Sequence, residues 1–458
     1  MRLCFRTLRL ERACLDTRPR SDRGLTKLIR KLTLGLGCAL AVASQAHAED
    51  SFPRLGGVLI GNPQNYWDAA YQADIAKLDV VVLSAFPGWG SSQKTTMDAA
   101  TKAIKAKNPN TKVFLYVIAE SQKSPVPSVW SELGQKVEQE QWWLYQGGLT
   151  KVSSGFGHDM YQLNITSYAK PDSSGKKFNQ WFAQYMADKL ATPNSAIDGF
   201  FTDNVFWKPR EDGDWNLDGK MDSRNDPTVQ KWLRQGQVEY VTALRKVMPG
   251  KLQIANVADW GEPSAVLTEY QGKFNGGVLE GIIGASYSAE NKGWAPMMLA
   301  YRKTMAAFGD PKLGIFQMNG DPKDYRGFRY GFASCLMDDG YFAFNESGKG
   351  YSGVPMFDEY QVKLGKAVSK PSMLPWSAGV YRRDFENGIA LVNPKGNGAQ
   401  EVTLESDFFA VKGTQDPAVN SGKAVRKVRL EDRDGIILLR QRAVHRPTAP
   451  PNVSAASN

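Results

Sequence analysis

The stretch Asp198-Gly199-Phe200-Phe201-Thr202-Asp203-Asn204-Val205-Phe206-Trp207 decides how the chain is read. It opens as an apolar run of strand length and closes on a carboxylate and an amide. That is the pattern of a buried parallel strand delivering polar groups to the carboxyl edge of a sheet. Asp203 is therefore the first candidate for chemistry. Working outward, apolar runs of similar length stand at 57–61, 80–86, 113–119, 252–257, 278–283, 314–318 and 341–344. Amphipathic stretches of helical spacing separate them at 97–107, 178–190 and 229–248, the last stopped by Pro249-Gly250. Eight such βα units closing on a parallel sheet predict an α/β fold, a (β/α)8 TIM barrel. The segment 161–165 is assigned to a long insertion after the third strand, since barrel active-site loops carry such insertions.

Beyond Pro371 and Pro375 the helical period disappears. Short strand-like runs at 378–383, 388–393, 401–404, 424–430 and 435–439 alternate with Gly, Asn and Asp turns. They predict a small C-terminal antiparallel β-sandwich over 371–443, following a barrel domain of 49–370. The tail 444–458 is poor in apolar residues and is expected to be disordered. At the other end, 1–48 reads as a signal peptide. Basic residues over 23–31 precede an apolar run at 32–43 that is too short to span a bilayer, and Ala46-His47-Ala48 offers a cleavage site. Export to the periplasm or the medium is the expectation.

Of the 57 Lys and Arg and the 47 Asp and Glu, ten and three precede Glu49, so the balance beyond it is about +3 rather than +10. A nucleic-acid partner loses its main support. Cys335 is the one cysteine left after the leader, which excludes an internal disulfide there. His158 and His445 are the only histidines left, a poor supply for a zinc site or a Ser-His-Asp triad. No organic cofactor motif is present, and a monomer is expected.

If the strand count holds, Asp203 ends the fourth strand and Glu280 lies near the end of the sixth, both facing the carboxyl mouth. A carboxylate pair there suits glycosidic-bond hydrolysis, one acid acting as nucleophile or base and the other protonating the leaving oxygen. The plainer alternative has Asp203 capping a turn and Glu280 pairing with a barrel cation. Glu120, Asp259, Glu262 and Asp321 compete for the second role, with Glu120 and Glu262 as its substitutes. Asn62, Trp89, Glu120, Asn204, Trp207, Asn256, Tyr287 and Gln317 are the expected substrate contacts. Tyr66, Trp67, Trp260 and Asn319 are further lining, because aromatic faces stack on sugar C–H faces and amides read hydroxyls. A catalytically silent polysaccharide-binding protein is the second reading.

After Asp203 the chain runs Asp214-Trp215-Asn216-Leu217-Asp218-Gly219-Lys220-Met221-Asp222. Alternate oxygen donors around a Gly resemble a calcium loop, with Asp214, Asn216, Asp218, the Lys220 carbonyl and Asp222 as ligands of a structural Ca2+. The twelfth position is Asn225 rather than Glu, and a solvated acidic turn is the alternative.

The stretch from Asp198 to Trp207, with Gly277-Val278-Leu279-Glu280, Phe357-Asp358-Glu359-Tyr360 and Tyr381-Arg382-Arg383-Asp384-Phe385-Glu386-Asn387-Gly388, resembles hypothetical glycosyl hydrolase family 15. That resemblance implies a TIM barrel with a C-terminal β-sandwich, acting on polysaccharide. Acids on strands four and six also resemble the clan of α-galactosidases and α-glucosidases, where the second acid is commonly Asp and here is Glu280.

Overall fold

The computed structural model describes residues 51–85, 95–127, 130–257 and 268–441. The expected leader and tail, and Trp89, Asp259, Trp260 and Glu262, lie outside the described residues. Eight strands form one parallel sheet in chain order: β1 (Gly56–Leu59), β2 (Val80–Ser84), β3 (Lys112–Ile118), β4 (Gly199–Val205), β5 (Leu252–Val257), β6 (Gly276–Ile283), β7 (Leu313–Gly320) and β8 (Tyr341–Glu346). A parallel bridge between Leu55 and Phe342, with the Phe342 N–H donating to the Arg54 carbonyl, returns the last strand to the first and makes the sheet a barrel.

Side chains alternate across each strand, which sorts the barrel into an inside and an outside. Val80, Val82, Phe114, Phe201, Ile254, Val278 and Ile315 form a buried cluster within the barrel. Val81, Leu83, Leu115, Phe200, Ala255 and Leu279 join the larger cluster beneath the helices. Because both faces are covered, the strands read as continuous apolar runs.

The helices are α1 (Ala69–Ile75), α2 (Met97–Lys107), α3 (Ser131–Gln139), α4 (Phe178–Met186), α5 (Pro227–Val247), α6 (Trp294–Ala307) and α7 (Tyr325–Leu336). In α5, the Asp226 carboxylate caps the Thr228 N–H, Pro227 takes the first helical position, and Val229, Leu233, Gly236, Tyr240 and Leu244 bury one face. The stretch expected as one helix over 178–190 divides. After Met186 it widens into a π turn, Ala187–Ala191, where Thr192 donates both its N–H and its hydroxyl to the Ala187 carbonyl five residues back. Residues 160–162 pair antiparallel with 121–123 in the insertion between β3 and β4, outside the barrel sheet. Among the described residues, no helix is long and apolar enough to cross a membrane.

The C-terminal strands β9 (Tyr381–Phe385), β10 (Gly388–Asn393), β11 (Gln400–Ala410), β12 (Ala424–Leu430) and β13 (Asp434–Leu439) form an antiparallel sheet in the order β9-β10-β13-β11-β12. A register shift between Thr403 and Phe408 bends β11, and Val402, Leu404, Phe408, Val428 and Leu430 close over Ile389, Leu391 and Leu438. The opposite face of β10 and β13, with Ala390, Val392, Ile437 and Leu439, joins the barrel's outer core. There it meets α7, in which every residue from Gly327 to Leu336 is buried.

Arg329 of α7 fixes that junction. Its Nε donates to the Gly435 carbonyl at 3.2 Å, Nη1 reaches Asp416 at 2.5 Å, and Nη2 lies 3.6 Å from Asp434. Strand and helix approach so closely that a Cβ on Gly435 would lie 2.5 Å from the Arg329 carbonyl oxygen. Removing one partner of a buried ion pair leaves the other charge uncompensated. Arg329→Ala is therefore expected to destabilise by about 3–5 kcal/mol, and Gly435→Ala by about 1–3 kcal/mol through overpacking. Denaturant unfolding of each variant beside the parent checks both, and losses under about 0.5 kcal/mol contradict the junction's role.

Candidate active site

Two residues above the inner apolar layer, toward the carboxyl ends, the same alternation turns polar groups inward. Phe114 is followed by Tyr116, Phe201 by Asp203, Ile254 by Asn256, Val278 by Glu280 and Ile315 by Gln317. These lie on β3 to β7, five strands that are neighbours in the sheet. Both acid-bearing strands are irregular at that level. The register shifts between Thr202 and Val205 in β4 and between Leu279 and Ile283 in β6. The residue after each acid is left-handed, Asn204 at φ 58° and Gly281 at φ 55°. Asn tolerates that region better than most side chains and Gly enters it freely. Such bulges re-aim a side chain at the end of a strand.

The two acids share one donor. Asn256 Nδ2 gives a hydrogen bond to Asp203 Oδ1 at 3.1 Å and another to Glu280 Oε2 at 2.9 Å. Asp203 also accepts from the Tyr116 hydroxyl at 2.6 Å and from the Asn204 N–H at 2.9 Å. Glu280 accepts from the Tyr351 hydroxyl, delivered by the loop after β8. Burial first, and the charge of Glu280 as a further cause, push the Asp203 carboxyl above its usual range, against the lowering effect of its donors. Burial and the same carboxylate push the Tyr287 phenol up to about 12. Neither acid is ion-paired to Lys or Arg among the described residues.

The expected substrate contacts divide. Tyr287 is 64% exposed beside Glu280, and Asn62 is half-buried just past β1. Asn256 lies between the acids. Asn204 and Glu120, read as sugar contacts, bind each other instead: Asn204 Nδ2 donates to Glu120 Oε1 at 3.0 Å, and both are buried. Asn204 follows the inward-facing Asp203, so its side chain leaves the mouth. Gln317 is buried as well and accepts from the Gly281 N–H at 3.2 Å, bracing the bulge. Trp207 packs half-buried on the outer core under Arg234, and Trp89 lies outside the described residues. Tyr66, read as lining, is fully buried; its hydroxyl donates to the Leu59 carbonyl and accepts from the Ser84 N–H. Tyr116 and Tyr351 were missing from the sequence reading. Counting two residues on from Phe114 finds Tyr116, whereas nothing local marks Tyr351.

The chain matches hypothetical glycosyl hydrolase family 15 over residues 55–389. It belongs to that family. As a member of hypothetical glycosyl hydrolase family 15 it is a hydrolase of glycosidic bonds with a carbohydrate substrate. A search of curated proteins finds no match. Among solved structures it is similar to an Anoxybacillus alpha-amylase, at 11% identity over 86% of this chain and 99% of that one, with a TM-score of 0.46. The glycoside hydrolase domain of PelA from Pseudomonas aeruginosa is similar at 13% identity over 67% of this chain and 98% of that one, with a TM-score of 0.40. The GH36 alpha-galactosidase AgaA from Geobacillus stearothermophilus is similar at 12% identity over 86% of this chain and 56% of that one, with a TM-score of 0.42.

In the acidic loop of this hypothetical glycosyl hydrolase family 15 member, carboxylates cap backbone amides. Asp214 accepts from the N–H groups of Asp218 and Gly219 at 3.0 and 2.9 Å, Asp218 from Lys220 at 2.9 Å, and Asp222 from Trp215 at 2.9 Å. Gly219 turns the loop at φ 86°. Among the described residues no three His, Cys, Asp or Glu side chains converge as a metal cluster.

Burial raises the Glu120 carboxyl from 4.5 to about 7, although Gln162, Ser121, Asn204 and Arg210 lower it. A carboxyl raised on folding stabilises fully below its unfolded value and loses that contribution as pH climbs through the folded value. The parent should therefore lose on the order of 3 kcal/mol from this group between about pH 4.5 and 7. Glu120→Gln keeps an acceptor for Asn204 and cannot ionise. Its melting temperature should fall less than the parent's between about pH 5 and pH 7.5, and parallel curves would remove Glu120 from that role.

Proposed function

We propose that Asp203 and Glu280 form the catalytic pair of a retaining glycoside hydrolase, with Asp203 as nucleophile and Glu280 as general acid and then base. The observation that carries this is Asn256. One amide nitrogen at 3.1 Å from Asp203 and 2.9 Å from Glu280 keeps those two oxygens within about 6 Å of each other. Retention requires carboxyl groups roughly 5–5.5 Å apart, whereas inversion needs roughly 6.5–9.5 Å to admit a water. Asp203 collects three donors, which work against the burial that raises its carboxyl and suit the acid that carries negative charge against a cationic transition state. Glu280 then stands opposite as the group that hands a proton to the leaving oxygen while the Asp203 carboxylate bonds to the anomeric carbon. After departure of the first sugar, the base takes a proton from water, which releases the glycosyl–Asp203 ester.

The leader pattern supports export, and the exposed Tyr287 at the mouth supports a poly- or oligosaccharide substrate. A protein that only binds glycan would tolerate acids locked to cations; amide and phenol partners leave these two available.

Asp203→Asn should lower kcat by about 10³-fold or more with folding intact. Glu280→Gln should cost about 10²–10⁴-fold on natural glycans and spare activated leaving groups, which need no proton. NMR of the first-formed anomer should show retention. Activity within about tenfold of the parent for Asp203→Asn, or an inverted product, contradicts the assignment.

We also propose that the loop from Asp214 to Asp222 holds a structural Ca2+; its alternating oxygen donors around Gly219 support this. A chelator should then lower the melting temperature of the parent, calcium should restore it where magnesium does not, and Asp218→Ala should abolish the shift. A parent indifferent to calcium marks an acidic turn.

A further inference from the structure

Directly beyond Asp203, the loop leaving β4 borders a cleft of about 450 Å³ lined by Phe206, Lys208, Arg210, Glu211, Arg224 and Asn225. Its size falls in the roughly 300–1,000 Å³ range of ligand sites. Three cations face one carboxylate there, and none of the three is ion-paired to a carboxylate among the described residues. The neighbouring acidic loop does not consume them. Asp214, Asp218 and Asp222 cap backbone amides, and Asp212 accepts from the Arg224 backbone N–H at 2.7 Å. Glu120 lies within the field of Arg210, but no hydrogen bond joins them.

Arg210 is also held in place. Its guanidinium lies 3.9 Å from the centre of the Phe156 ring, and Phe156 stacks parallel to Phe206 at 6.3 Å. The Arg224 guanidinium donates to the Arg210 carbonyl, tying the two strands of the loop. A guanidinium seated on an aromatic face keeps its edge N–H groups free, in the fork that matches a carboxylate. Phe156, 41% exposed, backs Arg210 beside the cleft.

Resting on the glycoside hydrolase reading of the mouth, we propose that this cleft is a subsite for a carboxylate-bearing sugar, so that the substrate is a uronate-containing glycan. Arg210 reads the carboxylate, Lys208 and Arg224 supply the field, and Phe206 forms the wall beside the ring. Phe206 follows Asp203 by three residues, so the subsite lies on the loop that leaves the strand carrying Asp203.

The test is affinity electrophoresis of the full chain carrying Asp203→Asn, through gels containing polygalacturonate, polymannuronate or polyglucuronate, and through gels with their carboxyl-reduced forms. At least one uronate polymer should retard the protein about tenfold or more strongly than its reduced form, the range of a charge-assisted hydrogen bond. Adding Arg210→Gln should remove that preference with the melting temperature unchanged, and adding Lys208→Gln should weaken it. Lys312→Gln, on the opposite end of the barrel before β7, should leave it intact. Equal retardation by charged and reduced polymers, loss with Lys312→Gln, or stronger retention by a sulfated polymer than by every uronate overturns the subsite. Uronate binding by a parent that cleaves no glycan would sink the hydrolase reading and spare the subsite. Cleavage of neutral glycans with no uronate preference would do the reverse.

Discussion

The alternation of side chains along a strand is the constraint on which the rest depends. In β3 to β7 the inward column is apolar below and polar above, so one geometric rule sets both the plug of the barrel and the floor of the site. Shifting β4 by one residue would exchange Phe200 and Thr202 with Phe201 and Asp203, burying a carboxylate beneath the helices. Hydrophobic burial on both faces therefore holds the acids in register more firmly than any contact the acids make themselves.

The same rule explains what could be read in advance. Strands covered on both faces appear as unbroken apolar runs, so the eight barrel strands and the acids at two of their ends were legible. The helical stretch over 178–190 was legible, but not its closing π turn, which keeps the apolar pattern while changing the hydrogen bonds. Asn204, Glu120 and Gln317, expected at the mouth, are buried and brace the strand ends, because a polar residue at a strand end looks alike in sequence in either place. Tyr351 was invisible for another reason. It reaches Glu280 across 71 residues, from a glycine-bearing loop whose path depends on its own left-handed backbone, φ 60°. Local sequence patterns do not carry contacts of that kind.

Electrostatics at the mouth rely on neutral donors. Holding two carboxylates together with a lysine or arginine would stabilise the doubly ionised state and remove the proton that cleavage needs. Asn256, Tyr116 and Tyr351 orient the acids without adding charge. The left-handed Asn204 and Gly281 supply the aim, and buried partners, Glu120 and Gln317, hold each turn from behind.

The buried state of α7 reaches beyond the junction itself. A peripheral barrel helix ordinarily keeps one face in water, yet this one has none from Gly327 to Leu336, because the barrel covers one side and β10 and β13 the other. The two sheets are thus distinct in architecture but not detachable in practice. A gene fragment ending near Pro371 would encode a barrel with a greasy, arginine-studded ridge on its flank, a product prone to clump rather than a minimal enzyme. Recombination that trades C-terminal sheets between relatives must carry the face of α7 along with them.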